Sequence, residues 1–344
     1  MQKNIENSNA ANSAGQHTTL DEVIQRAKTC LLDCQSEDGH WAFPLEADVT
    51  IPAEYILLNH YLGEINDDVE AKLANYIRRI QGFHGGWPLY HNGDLNVSAS
   101  VKAYFALKLA GDDPEASHMI KARDAILAHG GAKESNVFTR ITLALFGLVP
   151  WRATPVTRIE VLFAPKWFPL HLNKVSYWTR TVTVPLLILT ALRPRAKNPR
   201  NVSLDELFTK SRFEEDYRIK NPTGNWLGSL MTVLDRLAWP FEKYIPNYFV
   251  NRGIARAMNF ITERLNGEDG LGGIFPAMAN ALMAFDALGI PKDHPNVITA
   301  RKAIEKLLIF QDDEAYCQPC LSPVWGTGLA AHAMLEAAKA SGPH

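Results

Sequence analysis

Four cysteines are the residues of this chain whose type and spacing first suggest chemistry. They form two pairs, Cys30 with Cys34 and Cys317 with Cys320. Four thiolates commonly hold structural zinc, and two intervening residues are the usual spacing within half of such a site. The first pair has three intervening residues, however, and the two pairs lie far apart along the chain. We therefore expect reduced cysteines, no metal site and no cofactor.

Other catalytic patterns do not occur in the sequence. There is no phosphate-binding loop, no metalloprotease histidine motif and no hydrolase nucleophile elbow. The glycine-rich stretch that begins at Gly270 fails the dinucleotide-binding spacing, because Phe275 replaces the last glycine. Glu54 is a single carboxyl, whereas a glycosidase needs two carboxyls across a cleft. The fold class alone leaves a glycosidase open, but no carboxylate pair supports one.

The composition bounds the class of protein and its partners. The 344 residues are 47% hydrophobic and 21% charged, with a formal net charge of −2. These values suit a soluble globular protein, and no basic surplus neutralises phosphates, so we expect no nucleic-acid partner. Residues 1–18 are polar, which predicts a disordered tail and no signal peptide. The longest apolar run, near 181–192, is too short to span a bilayer, and a cytoplasmic location is expected.

Helical spacing of apolar residues dominates the chain. Apolar stripes with intervals of three and four residues run through 21–35, 97–111, 136–151 and 278–289. Alternating runs of β-branched residues are scarce. This pattern predicts an all-α protein.

One short unit recurs with identical spacing. The unit consists of an aliphatic residue followed by Gln four positions later, Gly eight positions later and Trp ten positions later. Its two copies span Leu31–Trp41 and Ile77–Trp87. The Gln positions are Gln35 and Gln81, whereas a third copy near 261–273 has leucines at the Gln and Trp positions. We expect Gln to satisfy free groups at helix ends and Trp to cover the junction. Ordinary capping turns are the alternative, but a fixed repeat favours stacked helical hairpins.

This unit matches the QW motif of the triterpene cyclase family. The chain resembles the N-terminal half of bacterial squalene–hopene cyclases from about residue 20 to 340, in stretches that begin at Cys34, Glu134, Leu265 and Cys317. The resemblance implies an α/α toroid with QW repeats.

The resemblance also implies a domain organisation. In the family, the first α/α barrel is inserted into the second. Residues 46–314 would then form one complete toroid, and residues 20–45 and 315–344 would belong to a second, incomplete barrel whose remainder is absent from the chain.

The reaction that the resemblance implies is polyene cyclisation started by a proton. The family uses an Asp-x-Asp-Asp motif as the acid. Ile65, Ala110 and Phe310 stand two residues before the three Asp-Asp pairs of this chain, so the motif is absent. Gly326 also replaces a family aspartate in Ser-Pro-Val-Trp-Gly. We therefore expect no catalytic residue here and no cyclisation by this chain alone.

The resemblance further implies a cavity that holds the hydrocarbon. Aromatic faces stabilise carbocations, although an aromatic residue on a helix is more often core packing. The positions that match family cavity residues are Glu54, Phe138, Trp178, Ile274, Pro276 and Trp325.

Residues 224–249 combine an apolar stripe with aromatic residues and few charges, which suits a helix in a membrane interface. A core helix is the alternative, but the family is monotopic and favours the membrane. We expect a peripheral protein on the cytoplasmic side, with the basic loop 193–200 favouring anionic lipid. The expected lipid contacts are Trp226, Leu230, Leu237, Trp239 and Phe241.

Three functions are open at this point. The first is one half of a triterpene cyclase of hopanoid biosynthesis, with a squalene-like polyprenyl substrate and a separate C-terminal half or a second copy as partner. The second is a degenerate toroid that binds lipid without catalysis. The third is a toroid of unrelated function that serves as an interaction module.

Overall fold

The computed structural model describes residues 19–156, 158–168, 171–217, 224–226, 228–229, 232–233, 246–267 and 269–340. The predicted tail at 1–18 lies outside them. The described chain is mainly helical, which confirms the predicted all-α class. Its α-helices are α1 (Leu20–Asp33), α2 (Thr50–Leu62), α3 (Asp67–Arg79), α4 (Val97–Ala110), α5 (Ser117–Ala128), α6 (Val137–Leu145), α7 (Tyr177–Leu192), α8 (Asn247–Arg264), α9 (Phe275–Ala287), α10 (Pro295–Glu305) and α11 (Pro323–Ala340).

Short strands and 3-10 helices connect these helices. Strands β1 (Leu265–Asn266) and β2 (Gly270–Leu271) form one antiparallel hairpin, and β3 (Leu308–Phe310) and β4 (Ala315–Cys317) form another. The 3-10 helices of the described residues are Ala132–Glu134, Trp151–Ala153, Ile159–Phe163, Leu172–Lys174 and Asp205–Leu207.

The chain divides into two compact units. One contains α1 and α11 and is formed by the segments up to Phe43 and from Ser322 onward. The other runs from Pro44 to Leu321 and contains α2 to α10. We call them the small unit and the large unit.

The core of the large unit is built from helices that are apolar on nearly every side. Almost all residues of α2 and α4 are buried, and α7 and α9 pack along each other. The outer helix α3 buries only one face, through residues such as Leu73 and Ile77. A helix that is apolar all round must be surrounded, whereas an amphipathic one covers the outside. This pairing of inner with outer helices confirms the predicted α/α toroid.

Local sequence signals fix where the helices of the large unit begin and end. Asn66, Asn96 and Asn136 each accept a hydrogen bond from the backbone N–H three residues later, which caps α3, α4 and α6. The helices α2 and α4 end at Gly63 and Gly111, whose φ angles of 62° and 103° favour glycine. These caps and glycines define the ends of α2, α3, α4 and α6.

The two Gln-x3-Gly-x-Trp units share their tryptophan hydrogen bond and the hydrogen bond within the turn. The indole Nε1 of Trp41 donates to Leu31 O at 2.7 Å, and that of Trp87 donates to Ile77 O at 2.8 Å. Gln81 Nε2 donates to Gly85 O at 2.5 Å and to His118 O of α5 at 2.9 Å. Gln35 Nε2 donates only to Gly39 O, at 2.7 Å. The roles therefore differ from those expected, since Trp satisfies the helix-end carbonyl, Gln closes its own turn, and Gln81 alone also reaches the next helix.

Two further turns have the geometry of this unit without all of its residues. In the third copy, Leu265 pairs with Leu271 across the β1–β2 hairpin, so the turn persists although the side-chain hydrogen bonds cannot form. A fourth copy, missed in the sequence, runs from Leu307 through Gln311 to Cys317, with Cys317 at the Trp position and buried. The repeat therefore continues to the end of the large unit.

The small unit has very little core of its own. Helix α1 has no buried residue, although it packs against α11. Trp41 and Ala330 are the buried apolar residues of the described part of this unit. Its exposed large apolar side chains are Leu20, Val23, Leu32, Phe43, Val324, Trp325, Leu329 and Leu335.

Candidate functional site

An apolar pocket of about 330 Å³ lies inside the large unit. The helices α2, α6, α7 and α9 form its walls, and one residue of α4 reaches it. Because α2 contributes Thr50, Ile51, Glu54, Leu57 and Leu58, a single face of that helix lines one side. The other lining residues are Lys102, Asn136, Phe138, Ile141, Thr142, Leu145, Phe146, Val182, Leu186, Phe275, Pro276, Ala279, Asn280 and Met283.

One ion pair supplies the charge in this pocket. Lys102 Nζ lies 2.5 Å from Glu54 Oε1, and the two side chains are 6% and 21% exposed. An ammonium group is costly to bury unless a carboxylate compensates it. The pair therefore fixes the position of both side chains at the wall of an otherwise apolar space.

Three neutral polar side chains of the lining form hydrogen bonds within the protein. Asn136 Oδ1 accepts from Thr139 N at 2.9 Å and caps α6. Thr142 Oγ1 donates to Phe138 O at 3.2 Å, and Asn280 Nδ2 donates to Val182 O at 3.3 Å.

The predicted cavity residues separate into three groups. Glu54, Phe138 and Pro276 line the pocket, and Phe138 is exposed at its rim. Trp178 is exposed and lies one turn before Val182 on α7, outside the lining. Ile274 precedes α9 and bridges to Cys320, also outside the lining. Trp325 belongs to the small unit and is exposed.

Residues 24–313 match the family model described as the squalene–hopene cyclase N-terminal domain. The chain belongs to this family. Over 338 residues it is 52% identical to a squalene–hopene cyclase of Zymomonas mobilis, which covers 95% of the chain and 51% of that protein. It is 53% identical over 320 residues to the squalene–hopene cyclase of Bradyrhizobium diazoefficiens, and the alignment covers 92% of the chain and 48% of that protein. It is 33% identical over 316 residues to that of Alicyclobacillus acidocaldarius, with 92% of the chain and 49% of that protein covered. The chain thus spans about half the length of these curated squalene–hopene cyclases.

Lys102 is the pocket residue that the sequence reasoning missed. It lies in the stretch Ser-Val-Lys-Ala-Tyr, between Val101 and Ala103, both of which are fully buried. A lysine inside a helix that is apolar on all sides is the signal that could have identified it, since such a lysine needs a partner.

Gly326, where the squalene–hopene cyclase resemblance implies an aspartate, has a packing explanation in this chain. A Cβ atom at this position would lie 3.2 Å from the carbonyl carbon of Trp41 and closer still to its oxygen. The backbone N–H of Trp41 also donates to Thr327 Oγ1 at 3.0 Å. The start of α11 therefore approaches the first Trp turn too closely for a side chain at 326.

The cysteines and the metal-ligating side chains do not assemble into a site within the described ranges. Cys30 and Cys34 are exposed, Cys317 is buried and Cys320 is half-buried, and all four are free. No group of three or more His, Cys, Asp or Glu side chains that could hold a metal ion occurs among the described residues.

The predicted membrane segment is described only in part. Trp226 is 77% exposed, and Val233, Tyr248 and Phe249 are also exposed. Leu230, Leu237, Trp239 and Phe241 lie outside the described residues. Among the helices that the structure describes, none combines the length and the apolar character needed to cross a bilayer.

The basic loop 193–200 is bound to the protein itself. The Arg193 guanidinium lies 5.8 Å from the centre of the Trp151 ring, and Lys197 Nζ lies 2.9 Å from Asp286 Oδ1. Arg200 pairs with Glu70 at 2.6 Å. Three of the four cations of this loop thus have partners within the protein, which weakens the expected attraction of the loop to anionic lipid.

Proposed function

We propose that this chain is the N-terminal half of a polyene cyclase that acts on a squalene-like substrate in hopanoid biosynthesis. The observation that carries the proposal is an apolar pocket walled by four helices of the large unit, in a chain of the squalene–hopene cyclase family. The chain supplies part of the cavity wall. The acid comes from a second half that lies outside these 344 residues, because the Asp-x-Asp-Asp motif does not occur within them.

The pocket lining suits a carbocation better than it suits a polar substrate. Phe138 presents an exposed aromatic ring at the rim, and its cation–π contact would stabilise positive charge by about 2 kcal/mol once the second half excludes water from it. The leucine, isoleucine and valine side chains of the wall exclude water, which would otherwise capture the cation. We assign Trp178 and Trp325 to the same role at the parts of the cavity that the second half completes.

The exposed apolar side chains of the small unit support a second barrel as the partner. Many exposed large apolar side chains on one small unit are typical of an interaction site. We assign residues 20–45 and 315–344 to that barrel and residues 46–314 to the inserted toroid. The relatives extend over about as much sequence again as this chain, which is the length that a complementary half requires.

Co-expression tests this function. The chain would be produced with and without the C-terminal half of the Zymomonas mobilis relative, and squalene would be supplied. We expect cyclised triterpene only when both halves are present, and loss of product when the aspartates of the supplied half are changed to Asn. An assembled but inactive pair would favour a degenerate lipid-binding toroid, and no assembly would remove the proposal.

We also propose that the protein is peripheral to the membrane, on its cytoplasmic side, through residues 224–249. The exposure of Trp226, Tyr248 and Phe249 supports this surface, since aromatic side chains prefer the membrane interface.

A further inference from the structure

Two exposed arginines of α8 follow directly after the aromatic residues of the proposed membrane surface. Tyr248, Arg252 and Arg256 are spaced by four residues, so they form one stripe along the helix. All three side chains are exposed, and so is that of Phe249. The stripe therefore begins with an aromatic ring and continues with two positive charges, one and two helical turns further along.

Neither guanidinium group of the stripe pairs with a carboxylate of the described residues. Arg252 Nη1 donates a hydrogen bond to Tyr248 Oη at 3.3 Å. The guanidinium carbon of Arg256 lies 5.6 Å from the centre of the Phe163 ring. These contacts orient the two guanidinium groups without neutralising them. Most of their N–H donors therefore remain available to an anion.

The segment that packs against α8 is also basic. A Cβ atom at Gly253 would lie 3.0 Å from the side chain of Ile159, so α8 and the 3-10 helix Ile159–Phe163 are in close contact. The ionisable Lys, Arg, Asp and Glu residues of 158–178 and 247–262 are Arg158, Glu160, Lys166, Lys174, Arg252 and Arg256. Glu160 Oε2 lies 3.2 Å from Arg158 Nε, which leaves four cations without a carboxylate partner among the described residues.

Exposed apolar side chains accompany these charges. Trp167 lies between Lys166 and Lys174 in the sequence and is 76% exposed, and Lys174 Nζ donates to Trp167 O at 3.3 Å. Val175 is exposed next to Lys174. Aromatic and aliphatic side chains among basic residues are typical of a surface that lies in a membrane interface. A site for a free phosphate ion needs no such apolar surroundings.

We propose that α8 binds the phosphate groups of anionic phospholipids through Arg252 and Arg256. A guanidinium group presents its N–H donors in a plane that matches two oxygens of a phosphate. In a zwitterionic lipid the ammonium group of the same headgroup compensates the phosphate, whereas in an anionic lipid the charge is left for the protein. The inference rests on the membrane attachment proposed above and adds the lipid class and the residues that select it.

This inference assigns the lipid-binding cations to α8 instead of the loop 193–200. In that loop, Lys197 and Arg200 are held by the carboxylates of Asp286 and Glu70. A cation that leaves a carboxylate for a lipid phosphate exchanges one anion for another and gains little. Arg252 and Arg256 give up no carboxylate when they bind lipid, so their full attraction contributes to binding.

Vesicle sedimentation tests the lipid class. The purified chain would be mixed with vesicles of phosphatidylcholine alone and with vesicles that also contain phosphatidylglycerol. We expect about fivefold tighter binding to the anionic vesicles for each arginine, or about 25-fold for the pair. Equal binding to both kinds of vesicle would overturn the inference and leave the membrane attachment standing. Binding to neither kind would remove the membrane attachment, and the inference with it.

A double substitution tests the two residues. Arg252→Gln with Arg256→Gln should lose the preference for anionic vesicles, while binding to phosphatidylcholine stays unchanged. Arg26→Gln with Lys121→Gln is the matched control, since it removes two exposed cations from α1 and α5 and changes the net charge equally. The control should keep the preference. An equal loss in both variants would assign the effect to net charge and contradict a site on α8.

Two further measurements keep the inference testable if the double Gln variant does not fold. Arg252→Lys with Arg256→Lys retains the charges and should keep most of the preference for anionic vesicles. In the wild-type chain, added sodium chloride should weaken binding to anionic vesicles and leave binding to phosphatidylcholine unchanged. Binding to anionic vesicles that is insensitive to salt would contradict the inference.

Competition separates a lipid surface from a site for soluble phosphates. Inorganic phosphate and a short single-stranded oligonucleotide would each be added to the chain bound to anionic vesicles, at ionic strength matched with sodium chloride. We expect each competitor to release no more protein than sodium chloride does, because neither offers the apolar contacts of the membrane. Release well beyond the sodium chloride control by either competitor would show a soluble phosphate site and overturn the assignment to lipid.

Discussion

Gly326 at the start of α11 lies directly against the carbonyl group of Trp41, and no side chain fits between them. The same two segments are joined by the hydrogen bond from Trp41 N to Thr327 Oγ1 at 3.0 Å. The glycine is therefore part of the packing of the small unit, at a position where the squalene–hopene cyclase resemblance implies a carboxylate.

The first prediction concerns this contact. Gly326→Ala and Gly326→Asp should both loosen the small unit, because a Cβ forces Trp41 to move. Hydrogen exchange of the α1 and α11 amides should become faster in both variants. Gly328→Ala is the control, since nothing lies within 4 Å of its added Cβ and alanine favours a helix by about 1 kcal/mol over glycine. Unchanged exchange in Gly326→Asp would mean that the carboxylate can be accommodated.

The second prediction concerns Asp112, which joins α3 to α5. Its side chain is 6% exposed and lies 2.6 Å from both Arg78 Nη2 and His118 Nε2. Burial by itself would raise the pKa of Asp112, but the hydrogen bonds from Arg78 and His118 outweigh burial and hold the pKa below its usual value. The carboxylate thus stabilises the fold above the pKa of the unfolded chain, and this contribution is lost as the pH falls through the folded pKa.

Asp112→Asn should consequently lower the free energy of unfolding at neutral pH, by about 1–3 kcal/mol for a charged hydrogen bond. The difference from wild type should shrink when urea unfolding is repeated near pH 3. Asp113→Asn, at the exposed neighbouring position, is the matched control and should change little at either pH. A deficit for Asp112→Asn that is equal at both values would exclude the carboxylate charge as its cause.

The third prediction concerns the Trp of the repeat. Trp87→Phe removes the donor to Ile77 O and leaves a smaller ring in a fully buried site. We expect a loss of roughly 2–4 kcal/mol in the free energy of unfolding, from an unpaired buried carbonyl and a cavity. Urea denaturation measures this loss. Trp41→Phe makes the same change in the small unit, and it should lower the free energy of unfolding of the large unit much less. Equal losses of unfolding free energy in the two variants would argue against separate cores.

The fourth prediction concerns lipid. Trp226→Asp with Tyr248→Asp should abolish co-sedimentation of the chain with liposomes while the circular dichroism spectrum stays the same, because both side chains are exposed. Phe83→Asp removes an equally exposed aromatic residue outside residues 224–249 and should leave co-sedimentation intact. Co-sedimentation that persists in the double variant would exclude residues 224–249 as the membrane-binding surface.

Sequence periodicity was sufficient to predict the fold class, because helices and turns depend on residues that are close together in the sequence. Apolar residues spaced at three and four positions bury a helix face wherever that helix lies, and the Gln-x3-Gly-x-Trp spacing marks a turn that forms from nearby residues. The all-α class and the stacked helical hairpins could therefore be predicted from the residues, whereas the α/α toroid was implied by the family resemblance. The hydrogen-bond roles within the turn could not, because Gln81 reaches His118 on a different helix.

The pocket depends on tertiary contacts, which a single sequence does not reveal. The apolar neighbours of Lys102 mark it as a lysine that needs a partner, but only the fold shows that Glu54, 48 residues earlier, is that partner. Gly326 looks like a lost carboxylate until the Trp41 carbonyl is placed beside it. Family resemblance marked Glu54, Phe138 and Pro276, which line the pocket. It also marked Trp178, Ile274 and Trp325, which are not among the lining residues.

The most direct test of the account is to obstruct the pocket in a complemented enzyme. Met283→Trp would fill the pocket, and Met258→Trp on α8 would make the same change at a half-buried position outside it. Each variant would be paired with a C-terminal half that carries Asp-x-Asp-Asp, and cyclised triterpene would be measured by gas chromatography with mass spectrometry. We predict product with Met258→Trp, none with Met283→Trp, and none from the chain alone. Cyclisation by the unpaired chain, or full activity in an assembled Met283→Trp enzyme, would contradict the account.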